Sequence, residues 1–216
     1  MTAKRTIKMI YRIYEYLLKR QISELPGHIC FMLSGADMAD APGSLFQVTE
    51  WCNEVSKIVG RFRTGQPGIR GITFHISTAA PEEMARFLPE IRKISSIARL
   101  VLHIGDHEEA AGNGMDVVVA IGKSGRDEIA ACIRRMAEDR LQPASVDEKT
   151  FESYLTFRYT PDVVVKSGGD HLTDFLIWQS VYSELFFSDV NWKFLRKVDF
   201  LRVLRDYQAR IRRFGK

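Results

Sequence analysis

Five short runs, at 29–33, 72–76, 100–104, 117–121 and 163–165, are apolar at nearly every position and rich in β-branched residues. A strand with one wet face alternates apolar and polar side chains, so runs that do not alternate must be covered on both faces. The stretches between them carry helical spacing, as at 46–59 and at 82–97, where Pro81 suits a first helical turn. Ser124 with Asp127 opens a helix in which Ile129, Cys132, Ile133 and Met136 recur on one face, and Ser145 with Glu148 forms a second capping-box signature. A final helix is predicted over about 198–213, with Phe200, Leu204, Tyr207 and Ile211 on one side. The pattern predicts a single α/β domain with a mostly parallel central sheet flanked by helices.

Residues 1–25 precede that domain as an amphipathic helix, and 26–216 form the domain itself. Over 4–22, Ile7, Ile10, Tyr11, Tyr14, Leu17 and Leu18 share a face, with Lys4, Lys8, Arg12 and Lys19 away from it. Packing on the domain is the simpler reading of this helix, and peripheral contact with a membrane surface is the alternative. Pro26-Gly27 ends it.

The chain has 216 residues, 45% of them hydrophobic, which suffices for one substantial core. Its net charge of +4 is mildly basic, with much of the excess at the two ends. Such a surface suits nucleic acid, anionic lipid or a phosphorylated substrate, and no nucleic-acid-binding motif supports the first. Cys30, Cys52 and Cys132 are scattered among apolar residues and read as reduced thiols of a cytoplasmic protein. No secretory signal or bilayer-spanning run is evident, so the protein is expected to be soluble or peripheral.

Chemistry concentrates after residue 160. Lys166, Ser167, Gly168, Gly169 and Asp170 directly follow the last strand, where ligands bind in open parallel sheets. Two glycines free backbone amides to face an anion, Lys166 adds charge, and Ser167 and Thr173 offer hydroxyls. An ordinary glycine turn is the plainer alternative. Glu184 lies among apolar and aromatic neighbours and needs a magnesium ion, an arginine or backbone amides to remain ionised. The aromatic block from Trp178 to Phe187 needs a core or a partner to cover it. Elsewhere, His103-Ile104-Gly105-Asp106-His107 and Gly112-Asn113-Gly114 read as turns, and there is no nucleophile elbow or phosphate-binding P-loop.

The run PDVVVKSGGDHLTDFLIWQSVYSELFFSDVNW from Pro161, the closing YQARIRRFGK, the helix YRIYEYLLKRQI and the segment GKSGRDEI at 122–129 together resemble the cis-prenyltransferase family, whose best-known member is undecaprenyl diphosphate synthase. The resemblance implies that Lys166 and Thr173 stand where an arginine and a serine hold the diphosphate of isopentenyl diphosphate. Asp174 replaces the family's asparagine, and His171 stands where a second arginine is expected. Glu184 matches a glutamate associated with Mg2+. Arg213-Phe214-Gly215 matches the C-terminal RxG motif, which in the family crosses a dimer interface to reach the neighbouring subunit's isopentenyl diphosphate. The guanidinium would grip a phosphate in two places and the glycine would admit the backbone.

The amino-terminal half departs from that pattern. The family's catalytic aspartate position holds Ser34, with Ala36 and Met38 at the asparagine and arginine positions that follow. The STEN segment survives as Ser77-Thr78-Ala79-Ala80, and a histidine-containing segment is absent near Pro42-Gly43. Those parts serve the allylic diphosphate and the metal, and a hydroxyl does not replace a carboxylate there. This pattern resembles non-catalytic subunits of heteromeric cis-prenyltransferases, of which the Nogo-B receptor is the familiar example. It implies a catalytic homologue as partner, with isopentenyl and allylic diphosphates as substrates, Mg2+ in the complex and a long polyprenyl diphosphate as product. Two alternatives stand beside it: a self-sufficient homodimeric enzyme using Asp37 or Asp40, and a non-enzymatic polyprenyl-phosphate-binding module.

Overall fold

The computed structural model describes residues 3–62, 68–105, 107–168 and 176–210, without side chains for 3–8 and 61–62. Seven strands form one sheet: β1 His28–Ser34, β2 Gly71–Ser77, β3 Arg99–Ile104, β4 His107–Ala111, β5 Asp116–Ile121, β6 Val163–Ser167 and β7 Glu184–Ser188. Their order is β4-β3-β5-β2-β1-β6-β7, and only the β3–β4 hairpin is antiparallel. The helices are α1 Ala3–Gln21, α2 Gly35–Asp40, α3 Ser44–Phe62, α4 Leu88–Arg92, α5 Gly125–Glu138, α6 Glu148–Tyr154 and α7 Lys197–Ala209.

The pleat divides the apolar runs between two faces. On β1, Ile29, Phe31 and Leu33 enter the larger core with residues of α3 and α7, while Cys30 and Met32 meet Phe157, Val118, Val164 and Leu176 on the other side. Burial on both faces is why these strands lack alternation. The centre of the larger core is aromatic: Phe31 stacks on Phe74 at 5.5 Å, and Trp192 packs against both, at 5.9 and 6.2 Å between centroids. The Trp192 indole N–H donates to the Ala41 carbonyl at 3.3 Å, which satisfies the one polar atom it buries.

Several expectations shift. The stretch predicted as one helix over 82–97 is a 3₁₀ turn at Pro81–Phe87, the short α4 and another 3₁₀ turn at Lys93–Ser96. Pro89 inside this segment removes a donor that a continuous helix would use. Ser124 does cap α5, with the reciprocal Asp127 bond. Ser145, by contrast, closes a 3₁₀ turn, and Asp147 caps α6 through Thr150. The hairpin strand β4 and edge strand β7 come in addition to the five strands that the apolar runs predict. The end of the last helix expected at 210–213, with Ile211, lies partly outside the described residues; α7 closes at Ala209. The three cysteines are free and buried, and burial pushes the Cys30 thiol up to about 12.

The helix α1 packs on α7 through Leu18 and Tyr14. The contact is tied by Arg196 donating to the Tyr11 hydroxyl at 2.7 Å and by Gln208 bonding Gln21 and Ser23. Ile10 and Leu17, expected on the inward face, are 58% and 49% exposed. The inward stripe is narrower than the sequence pattern: Leu18 and Tyr14 are covered, and Ile10 and Leu17 are not.

Candidate substrate site at the carboxyl edge of the sheet

Between β1 and its neighbours the chain order reverses: it first builds toward β2 and later returns on the other side as β6. Ligands of open α/β sheets sit beyond the strand ends at such a switch point. Ser34 ends β1 there, in register with Ser77 at the end of β2. Lys166 of β6 is paired across to Met32, and Ser167 and Gly168 follow it.

Ser34 is the N-cap of α2. Its N–H and hydroxyl both donate to Asp37 Oδ2, at 2.8 and 2.7 Å, and its Oγ accepts the Asp37 N–H at 3.2 Å. The serine that replaces a carboxylate thus makes a capping box, and Asp37 is held by it. Asp40 pairs with Lys193 at 3.0 Å. The S-x-x-D spacing at 34–37 is the same signal that marks 124–127, and it is readable in the sequence.

Around this end, Thr78 Oγ1 accepts the Ala80 N–H and lies 3.3 Å from where a Cβ on Gly35 would stand. His75 is fully buried and directs Nε2 at the Lys123 carbonyl at 2.6 Å, which fixes the proton on that nitrogen because a carbonyl only accepts. Gly122 holds φ 78°, and a Cβ there would stand 2.5 Å from the Pro81 ring. This close contact locks the turn after β5 against the segment that follows β2.

On β6, Gly168 has φ 68°, and a Cβ would collide with the Asn191 side-chain oxygen at 2.5 Å. Its N–H donates to the Ser188 carbonyl at 3.0 Å, so this amide extends the β6–β7 ladder. Asn191 carries no signal in the sequence, since only the crossing of two loops brings it behind the glycine. Gly169, Asp170, His171, Thr173, Asp174, Arg213 and Gly215 lie outside the described residues.

The structure does not bring Glu184 to this edge. Glu184 pairs with Val163, at the amino end of β7, whereas Ser188 pairs with Ser167. At about 3.3 Å per residue, the glutamate sits on the order of 13 Å from the edge. Its carboxylate accepts from Arg210 Nη1 at 3.1 Å, which supplies the charge partner its apolar surroundings require. Among the described residues no group of three His, Cys, Asp or Glu side chains could hold a metal ion. Magnesium favours carboxylate and phosphate oxygens in octahedral array, and among the described residues Asp37, engaged in the cap, does not by itself fit it. Among the described residues this edge carries Lys166, the hydroxyls of Ser77, Thr78 and Ser167, and backbone turns, while the Ser34 hydroxyl is spent on the cap.

On the opposite side of the molecule, His28 at the start of β1 stacks on Tyr159 and places Nε2 2.8 Å from the Thr73 hydroxyl. Burial lowers its pKa to about 4 despite the nearby Asp162. Burial lowers the His103 pKa as well.

Fold and edge together define an α/β protein with a topological switch point at the carboxyl edge of its sheet. The family model described as "Putative undecaprenyl diphosphate synthase" matches residues 85–215, and the chain belongs to this prenyltransferase family. It is 31% identical to "Isoprenyl transferase" of Thermus thermophilus, over 96% of both chains. It is 44% identical over 104 residues to "Tritrans,polycis-undecaprenyl-diphosphate synthase (geranylgeranyl-diphosphate specific)" of Picrophilus torridus, a match spanning 45% of this chain and 41% of that one. Lavandulyl diphosphate synthase from Lavandula x intermedia shares the fold, with a TM-score of 0.67 at 17% identity over 89% of this chain and 99% of that one.

Proposed function

We propose that this protein takes part in transferring isopentenyl units onto an allylic diphosphate to make a long-chain cis-polyprenyl diphosphate, acting as the subunit that completes a catalytic homologue's site. The observation that carries the accessory role is Ser34: the strand end where the family pattern requires an acid carries a hydroxyl committed to a helix cap. In this reading Arg213 and Gly215 enter the partner's site, and Lys166, Ser167, Gly168, Gly169 and Thr173 belong to a degenerate diphosphate loop. Mg2+ is held by the partner's carboxylates; Glu184 is the acid this chain could add, once released from Arg210.

The partner surface is the second face beside β7. Trp178 turns inward onto Phe151, but Val181, Tyr182 and Phe187 are 63%, 73% and 44% exposed, next to an edge strand. An apolar patch along a strand edge is a natural place for a homologous chain to join.

A second reading, a self-sufficient synthase, is favoured by two observations. Relatives matched along nearly their whole length carry names of synthases or transferases, and the Asp37 carboxylate stands 2.7 Å from the Ser34 hydroxyl, beside the position of the missing acid. One assay separates the two: labelled isopentenyl diphosphate, geranylgeranyl diphosphate and magnesium, with the purified chain alone or mixed with a homologue that has the aspartate. The accessory reading expects elongation only in the mixture, lowered about a hundredfold or more by Arg213→Ala. Ordinary turnover by the chain alone, abolished by Asp37→Ala, establishes the second reading instead.

A further inference from the structure

A cavity of about 490 Å³ opens between β3, α5 and the segment that follows α6, and three arginines line it: Arg99, Arg135 and Arg158. All three belong to the amino-terminal side of the sheet. Arg99 opens β3, Arg135 stands in the last turn of α5, and Arg158 precedes β6. Ile104 closes β3, so about 17 Å of strand separate Arg99 from the carboxyl edge.

Two of the three guanidinium groups lack a countercharge. Arg99 donates to Asp116 at 2.8 Å. Arg158 bonds only backbone carbonyls, those of Ser153 at 3.1 Å and Leu155 at 3.5 Å. Arg135 sets both terminal nitrogens 3.3 Å from a single acceptor, the Thr156 hydroxyl, and its Nε is buried with no hydrogen-bond partner among the described residues. A guanidinium carries five N–H donors, and one shared hydroxyl leaves most of them unanswered. The acids nearby are engaged elsewhere. Glu108 on the cavity wall faces His103 Nδ1 at 3.5 Å, and Glu128 accepts the Thr156 and Phe157 amides without forming an ion pair with Arg135.

A half-buried charge without a partner is costly, and a bound anion removes that cost. Two unmatched cations call for a dianion, and a phosphate group presents oxygens that guanidinium grips in pairs. The cavity is far larger than a bare phosphate, and Val101 and Leu155 give part of its wall an apolar surface for an organic group.

We propose that this cavity binds the phosphate group of a small phosphorylated molecule, with Arg135 and Arg158 holding its oxygens and Arg99 adding charge. The proposal does not rest on the carboxyl edge, and a chain that fails to support prenyl transfer would still bind the anion.

The test is calorimetric titration of the full chain with pyrophosphate and with adenosine diphosphate, at constant ionic strength and without added metal. Saturable binding is expected, weakened about tenfold or more in Arg135→Gln/Arg158→Gln and unchanged in Arg134→Gln, which alters an exposed cation of α5 outside the cavity. Tighter binding of the nucleotide would support the proposal with an organic group on the apolar wall; equal affinities would support it with phosphate alone. Circular dichroism of each variant checks folding, and the exposed Arg158→Gln alone carries the test should Arg135→Gln fail to fold. Absence of saturable binding by either probe overturns the proposal, as does undiminished binding by the folded arginine variants. Loss of binding in Lys166→Gln instead would also overturn it, and would assign the anion to the carboxyl edge.

Discussion

Serine at the end of β1 converts a strand terminus into a helix cap, and the energetic role of Asp37 follows from it. Both donors of Ser34 converge on one carboxylate oxygen. Asp37→Asn should cost about 1 kcal/mol of stability, seen as a lower melting temperature, because the cap loses its charged acceptor next to the amino end of α2. In the accessory role the same variant leaves turnover of the mixture with its partner unchanged. His28 makes the fold sensitive to acid in a defined window. Its pKa falls from the ordinary 6.5 to about 4 on folding, chiefly through burial. The unfolded chain therefore takes up the proton first. Stability from this group is full above pH 6.5 and is lost as pH falls toward 4, by about 3 kcal/mol in all. Urea titrations at pH 7 and pH 4 measure the loss, and His28→Gln should flatten the slope in that interval.

Among the elements, β1 and β2 hold the molecule together through the Phe31, Phe74 and Trp192 cluster, in which the tryptophan is fully buried. Trp192→Ala should cost about 3–5 kcal/mol, from lost burial and the cavity left between two strands, and chemical denaturation would show it. The capping serine at 124 is legible because a helix start is a local event, decided within four residues. The broken helix after Pro81 and the short strands β4 and β7 are not. Residues 107–111 lack a strand-like apolar run, and β7 alternates between half-buried and exposed positions. Such edge strands are made by the neighbour they pair with, not by their own composition.

For the molecule as a whole, the exposed apolar surface beside β7 is a prediction about assembly. Val181→Asp combined with Phe187→Asp should leave the isolated chain folded and weaken association with a catalytic homologue at least about tenfold, read by analytical ultracentrifugation of the mixture. Residue order alone dictates the covered parallel sheet, the helices between its strands and the hydroxyl in place of an acid at position 34. Periodicity and residue identity are local quantities, and they persist in any arrangement of the elements. Packing was needed to set Asp37 against Ser34, to neutralise Glu184 with Arg210 away from the carboxyl edge, to back Gly168 with Asn191, and to turn an apolar stripe of α1 outward. Each of these depends on which distant segments the crossovers bring together, and a side chain's partner or exposure exists only once those segments have packed.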